Sequence, residues 1–334
     1  MFSVDEQALS LSPITKHEFG WQEDSVQSIC VNPKEKTIVV GVNCADDQIK
    51  KGNNANCRIF TLKNDCLLLQ TSFSTTDGLN YCCQRVASFS PDGKYLVTVG
   101  SDGKLSVFNW PELGNAMPPL DADGEIYDAN FDSTSNLLVA LSHQKCFVIN
   151  LAKGKTIWSI DQPVVQGETD AAEFRGARFG SGASEGWLFV AVNAKNRKKA
   201  FVCKWKTDKW SMERSRQVST KPITAFTISN DGDLLGFGAS DSSLSILDSN
   251  SLINKRKIAN AHSFPITALA FSPTGRTLVS GSADGSCNVV AVPRKDRNGG
   301  MSGSLLWFLI VVAVILAILI LLAILFSVDG GNDL

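Results

Sequence analysis

The chain has 334 residues, 44% of them hydrophobic, and 32 basic against 33 acidic side chains for a formal net charge of −1. A balanced charge leaves no global field to draw the protein to nucleic acid, and three histidines, none with neighbouring ligands at zinc spacing, exclude a finger-type metal centre. Nine cysteines without a Cys-x-x-Cys pair read as reduced, mostly buried thiols.

The N-terminal stretch has neither the basic start nor the apolar run of a signal peptide, and no Asn-x-Ser/Thr acceptor occurs anywhere. One strand-like piece, residues 10–19, precedes the first repeat. It is the expected partner of the last repeat, whose edge it would cover as a fourth strand.

Six repeats follow, each an apolar strand, a turn rich in Pro, Asp, Asn or Gly, a second apolar strand, a tight turn and a third strand. The clearest copies are VASFSPDGKYLVTVGSDGKLSVFNW from Val86, ITAFTISNDGDLLGFGASDSSLSILD from Ile223 and ITALAFSPTGRTLVSGSADGSCNVVAV from Ile266. Weaker copies begin near Val26, Ile126 and Phe174. A period of about 40–45 residues with this pattern predicts an all-β fold, a β-propeller of WD40 type. A four-stranded blade cannot bury both faces alone, so blades stack about an axis. Asp102, Asp241 and Asp284 fall in equivalent tight turns, although no copy keeps the Trp-Asp dipeptide. His262, Ser280 and Asp284 are expected to form a buried structural network.

The irregular feature is the run from Asn43 to Asn56, NCADDQIKKGNNAN, standing where other repeats turn in two or three residues. A long polar loop on a rigid scaffold is where binding residues collect. Asn43, Asp46, Asp47, Asn53 and Asn54 offer oxygens to a hard cation or a partner, and Ile49 is an apolar residue suited to wedging into a pocket. The other reading is a plain hairpin tip. No phosphate loop and no Gly-x-Ser-x-Gly elbow occurs. Residues 180–184, GSGAS, read as a turn, and Arg197-Lys198-Lys199 as a solvated hairpin tip. Trp205 and Trp210 read as strand packing rather than a base-stacking platform. No ordinary catalytic constellation is visible.

The propeller is expected over residues 1–292, a polar Gly-rich linker over 293–304, a transmembrane helix over 305–326 and a short tail over 327–334. Leu305 to Phe326 has no charge, proline or glycine, and a helix of that length spans roughly 33 Å, enough for a bilayer core. Arg294, Lys295 and Arg297 precede it, and the charged side chains after it are Asp329 and Asp333. The positive-inside rule places the propeller in the cytosol.

A cytosolic WD40 propeller with one C-terminal membrane helix resembles the Sec12 family. The match is most specific at Ala261-His262-Ser263-Phe264, Ile266-Thr267 and Ser272-Pro273, and extends to Ile223–Leu252 and VVGVNCADDQIKKGNNANCRIF. The resemblance implies a single-pass endoplasmic-reticulum protein with a lumenal C-terminus. It would promote exchange of GDP for GTP on the small GTPase Sar1 and so start assembly of the COPII coat. It also implies seven blades and a Gly-rich, ion-binding loop in the first, with K+ as the ion and an isoleucine pushed into the GTPase. This chain has no such run of glycines, and its Asn43 to Asn56 region is similar to the family's second repeat. Either that loop substitutes for the Gly-rich one, or the first blade is absent and the chain is a non-catalytic scaffold that binds Sar1 or coat components.

Overall fold

The computed structural model describes residues 1–17, 23–44, 49–51, 55–75, 84–122, 124–161, 165 and 172–293. The predicted membrane helix, linker and tail lie outside them. No helix among the described residues is long and apolar enough to cross a membrane.

The described chain is all-β, a six-bladed WD40 propeller preceded by a hairpin. The hairpin is β1 (Phe2–Asp5) and β2 (Ser10–Pro13). Blade 1 holds β3 (Glu23–Val31), β4 (Thr37–Cys44), β5 (Cys57–Lys63) and β6 (Cys66–Phe73). Blade 2 holds β7 (Gln84–Phe89), β8 (Tyr95–Gly100), β9 (Lys104–Asn109) and β10 (Leu120–Asp121). Blade 3 holds β11 (Ile126–Phe131), β12 (Leu137–Ser142), β13 (Lys145–Asn150) and β14 (Lys155–Asp161). Blade 4 holds β15 (Ala172–Phe179), β16 (Trp187–Ala194), β17 (Ala200–Lys206) and β18 (Ser211–Ser219). Blade 5 holds β19 (Ile223–Ile228), β20 (Leu234–Ala239), β21 (Leu244–Asp248) and β22 (Asn254–Ile258). Blade 6 stops at three strands, β23 (Ile266–Phe271), β24 (Thr277–Ser282) and β25 (Cys287–Ala291).

Each blade is an antiparallel meander, and the repeats share their turn chemistry. Between the first and second strands of blade 2, the Ser90 hydroxyl donates to Asp92 at 2.6 Å and accepts from the Tyr95 N–H at 2.9 Å. Blade 5 repeats this with Ser229, Asp231 and Leu234 at 2.6 and 3.0 Å. The glycine that follows, Gly93 or Gly232, has φ of 75° or 74°, a conformation costly for a residue with a Cβ.

Both faces of the middle strands are buried. Phe189, Ala191 and Val202 of blade 4 meet Phe226, Leu235 and Phe237 of blade 5, while Val190, Val192 and Phe201 turn the other way, toward Val139 and Val148 of blade 3. The innermost strands pack in succession, β3 on β7, β7 on β11, β11 on β15, β15 on β19 and β19 on β23. At the two ends of this series the inner faces are open. Ile29 and Val31 of β3 are 64% and 57% exposed, and Ala268 and Ala270 of β23 are exposed.

The expected fourth strand of blade 6 is corrected by the structure. Ser10–Pro13 pairs with Phe2–Asp5, in the register Phe2↔Pro13 to Asp5↔Ser10, and not with β25. A tight hairpin satisfies both strands locally, without the loop-closure entropy of reaching the far end of the chain. The N-terminal segment still touches both end blades: Thr274 donates to Glu6 at 2.5 Å, and His17 meets Phe60 edge-on at 4.8 Å.

Candidate functional site

In a four-stranded meander the first and third turns lie at one end of the blade, and the second turn and the link to the next blade at the other. All the second turns and inter-blade links therefore share one face of the propeller. The described ends of the Asn43 to Asn56 run, at the close of β4 and the start of β5, belong to this face, as do Arg197–Lys199 between β16 and β17 and Thr75 after β6. The opposite face carries short turns, among them GSGAS. Its 3-10 turn Gly182–Ser184 fits against blade 5, where the Ala183 N–H donates to the Asp231 carbonyl at 2.9 Å.

Of the loop residues singled out, Asn43 ends up within β4, and its side chain lies outside the description, as do Asp46, Asp47, Asn53 and Asn54 entirely. Ile49 is helical in backbone and only 8% exposed. In this conformation it is packed, so contact with a partner requires it to move. The root of the loop is fixed: the Val42 N–H donates to the Asn56 carbonyl at 2.9 Å. Asn56 is buried, and its Oδ1 accepts from the N–H and hydroxyl of Thr75 at 2.9 and 3.0 Å. Sequence reasoning missed this clamp, which ties the loop to the link between blades 1 and 2.

Beneath the root, Ser28 Oγ and Gln84 Oε1 are buried without a described partner. Both point at Gly41, where a Cβ would approach them to 2.3 and 2.7 Å. Two neutral oxygens do not make a coordination shell, and the described residues hold no group of three His, Cys, Asp or Glu able to bind a metal. The loop oxygens offered to K+ by the sequence, on Asp46, Asp47, Asn53 and Asn54, lie outside the described residues.

On the same face, an open depression of about 780 Å³ lies between blades 5 and 6, lined by Asp241 and Ser242 on one side and His262, Asp284 and Ser286 on the other. Here the structure brings His262, Ser280 and Asp284 together and adds Ser286. His262 Nδ1 lies 2.7 Å from Ser286 Oγ, and Nε2 lies 2.8 Å from Ser280 Oγ. The Ser286 hydroxyl donates its one hydrogen to Asp284 Oδ1 at 2.5 Å. It must therefore accept from Nδ1–H, leaving Nε2 to accept from Ser280, an assignment that follows from the hydrogen-bond network. The hydroxyl and N–H of Ser286 hold the Asp284 carboxyl well below the usual carboxylate range. Its other oxygen accepts from the Ser263 N–H at 2.8 Å. These groups are spent on one another, which suits a rigid wall better than an acid–base pair.

Four thiols are suppressed by burial. Burial pushes the Cys57 thiol up to about 12 and Cys203 to about 11, and raises Cys30 and Cys146 further. Trp158 stacks on Trp210 at 4.9 Å and meets Trp205 edge-on at 5.3 Å, so these indoles are spent on packing between blades 3 and 4.

Comparison with known proteins matches the WD domain, G-beta repeat family at residues 69–109 and 254–290. Each match starts in the outer strand of one blade, β6 or β22, and runs through the three inner strands of the next. The sequence repeat is thus offset from the blade by one strand. The chain is 28% identical over 219 residues to SEC12-like protein 2 of Arabidopsis thaliana, covering 65% of this chain and 54% of that protein. It is 23% identical over 290 residues to SEC12-like protein 1 of the same plant, covering 85% and 68%. It is 24% identical over 221 residues to the guanine nucleotide-exchange factor SEC12 of Rattus norvegicus, covering 61% and 50%. The chain thus spans about half the length of the first and third of these relatives.

Proposed function

The chain belongs to the Sec12 family of WD40-repeat proteins, and on that premise we propose that it is a membrane-anchored guanine nucleotide-exchange factor for the small GTPase Sar1. It would act at the endoplasmic reticulum, with the propeller in the cytosol, and start assembly of the COPII coat for transport to the Golgi. The observation that carries the reading is the likeness to relatives named as exchange factors, extending over 61% of the chain in the rat protein. Exchange needs no covalent chemistry from the propeller. It needs a rigid body that favours the nucleotide-free conformation of its partner, by differential binding. A stiff propeller whose His262, Ser280, Asp284 and Ser286 are already spent on one another supports that role.

One observation favours a second reading, a tethered scaffold that binds Sar1 or coat components without exchange. Ile49, the residue suited to wedging into a partner, is buried. Both readings are tested by GDP release from Sar1 with and without the Met1–Pro293 unit, in potassium and in sodium buffer. Faster release is expected, and Ile49→Ala should abolish most of it. A rate dependent on potassium would add the ion. Binding without acceleration would leave the scaffold, and no binding would overturn both.

A further inference from the structure

The outer strands of the blades differ sharply in charge. β6 has no charged residue, β10 one aspartate, and β14 one lysine and one aspartate. β18 and β22 instead hold Arg214, Arg216, Lys255, Arg256 and Lys257 against the single Glu213. Two neighbouring strands thus carry four net positive charges in a chain whose total is −1; all five residues are exposed, with Lys255 paired to Asp248 at 3.4 Å.

Register shows that part of this charge converges. Arg216 lies opposite Val202, whose side chain packs toward blade 5. Lys257 lies opposite Ser245, itself paired with Phe237, which packs toward blade 4. Arg216 and Lys257 therefore flank the same groove from its two sides. Arg214 reaches across to the Ser251 carbonyl at 3.5 Å, joining the two rims. Arg256 donates to the Ala291 carbonyl at 2.6 Å, two residues before the described chain ends at Pro293. The sequence beyond adds Arg294, Lys295 and Arg297 and then the apolar run from Leu305 to Phe326.

We infer that the outer rim of blades 4 and 5 is a binding surface for anionic lipid headgroups, engaged through Arg214, Arg216, Lys255, Arg256 and Lys257. The inference takes from the proposed function only the membrane anchor, and nothing from nucleotide exchange. Basic residues at an anionic bilayer each strengthen attachment, and salt weakens it over a Debye length. Lipid is favoured over an acidic protein or RNA because the basic rim adjoins the end of β25, from which the chain continues into a basic and then an apolar segment.

The Met1–Pro293 unit contains every apolar core cluster of the described residues, so it is suited to sedimentation with vesicles. It should bind phosphatidylcholine vesicles containing phosphatidylserine and not phosphatidylcholine alone, and high salt should release it. Arg216→Gln and Lys257→Gln, at residues that donate no described hydrogen bond, should each lower partitioning about fivefold with the fold unchanged by circular dichroism. In the full chain, placed in nanodiscs of the same two compositions, amide exchange in β18 and β22 should slow only with phosphatidylserine. Equal binding to both lipids, or no loss on substitution, overturns the inference. Binding to heparin or polyglutamate but not to the anionic vesicles overturns it too and assigns the rim to an acidic macromolecule. Failure of the full chain to enter nanodiscs strikes the anchor instead, while the vesicle result on the propeller still decides the rim.

Discussion

His262 shows what a residue in this fold is for. Its two ring nitrogens tie the turn between β24 and β25, through Ser286, to β24, through Ser280, and the imidazole is buried. His262→Ala strands the Ser280 hydroxyl, itself fully buried, and should cost about 2–3 kcal/mol in urea unfolding. His262→Gln, able to keep one bond, should cost less. Asp284 gives the same network a pH dependence. Its carboxyl is held low in the folded state by Ser286, so the proton binds more readily to the unfolded chain. The stability it adds is present above the unfolded carboxylate pKa of about 3.9 and declines as the pH falls below it. Asp284→Asn should flatten the acid limb of a plot of melting temperature against pH between about 5 and 3. An unchanged limb would assign the acid sensitivity to other carboxylates.

At the scale of elements, glycine decides how closely blades approach. A Cβ on Gly238 in β20 would meet Ile266 Cβ at 2.6 Å and Cγ2 at 2.7 Å. Ile266 is fully buried at the head of β23 and has no room to retreat. Gly238→Ala should therefore cost about 1–3 kcal/mol by overpacking, read as a lower urea midpoint with an unchanged slope. The same burial orders the thiols. Cys66 and Cys287 are exposed, whereas Cys57, Cys146 and Cys203 are buried. Alkylation followed by mass spectrometry should mark the first two in the native protein and the other three only after unfolding.

These elements also show what was legible in the sequence. Period-2 alternation and Gly-containing turns are local, so blades 2, 5 and 6 could be read directly from Pro91-Asp92-Gly93, Asn230-Asp231-Gly232 and Pro273-Thr274-Gly275. The His262 network was readable because its members lie at short range on one blade. The Asn56–Thr75 clamp was hidden, because an asparagine that pins a loop looks like one that decorates it until the fold brings Thr75 near. The pairing of Ser10–Pro13 was misplaced for a related reason: the apolar alternation identifies a strand, and two edges competed for it.

At the scale of the whole molecule, the blades differ in what covers them. Blades 3 and 4 are packed on both sides, and Val139, Val148, Val190 and Val192 are fully buried between them. Blade 6 is packed on one side, through Ile266 and Leu278 against blade 5, while Ala268, Ala270 and Cys287 face outward. Among the described residues it has no fourth strand. The Val292 N–H donates to the Arg276 carbonyl, so in antiparallel alternation positions 288 and 290 face β24 and the backbone of Cys287 and Val289 faces the open edge. Stability in a repeat fold is roughly a sum over units and their interfaces. A unit with one interface and one free edge should open before the rest does. Native-state hydrogen exchange should therefore show amides of β23–β25 opening at lower free energy than those of β12, β13, β16 and β17, with the difference narrowing as urea approaches the global midpoint. A single opening energy across all six blades would mean that the propeller unfolds as one unit and that its exposed seam carries no local instability.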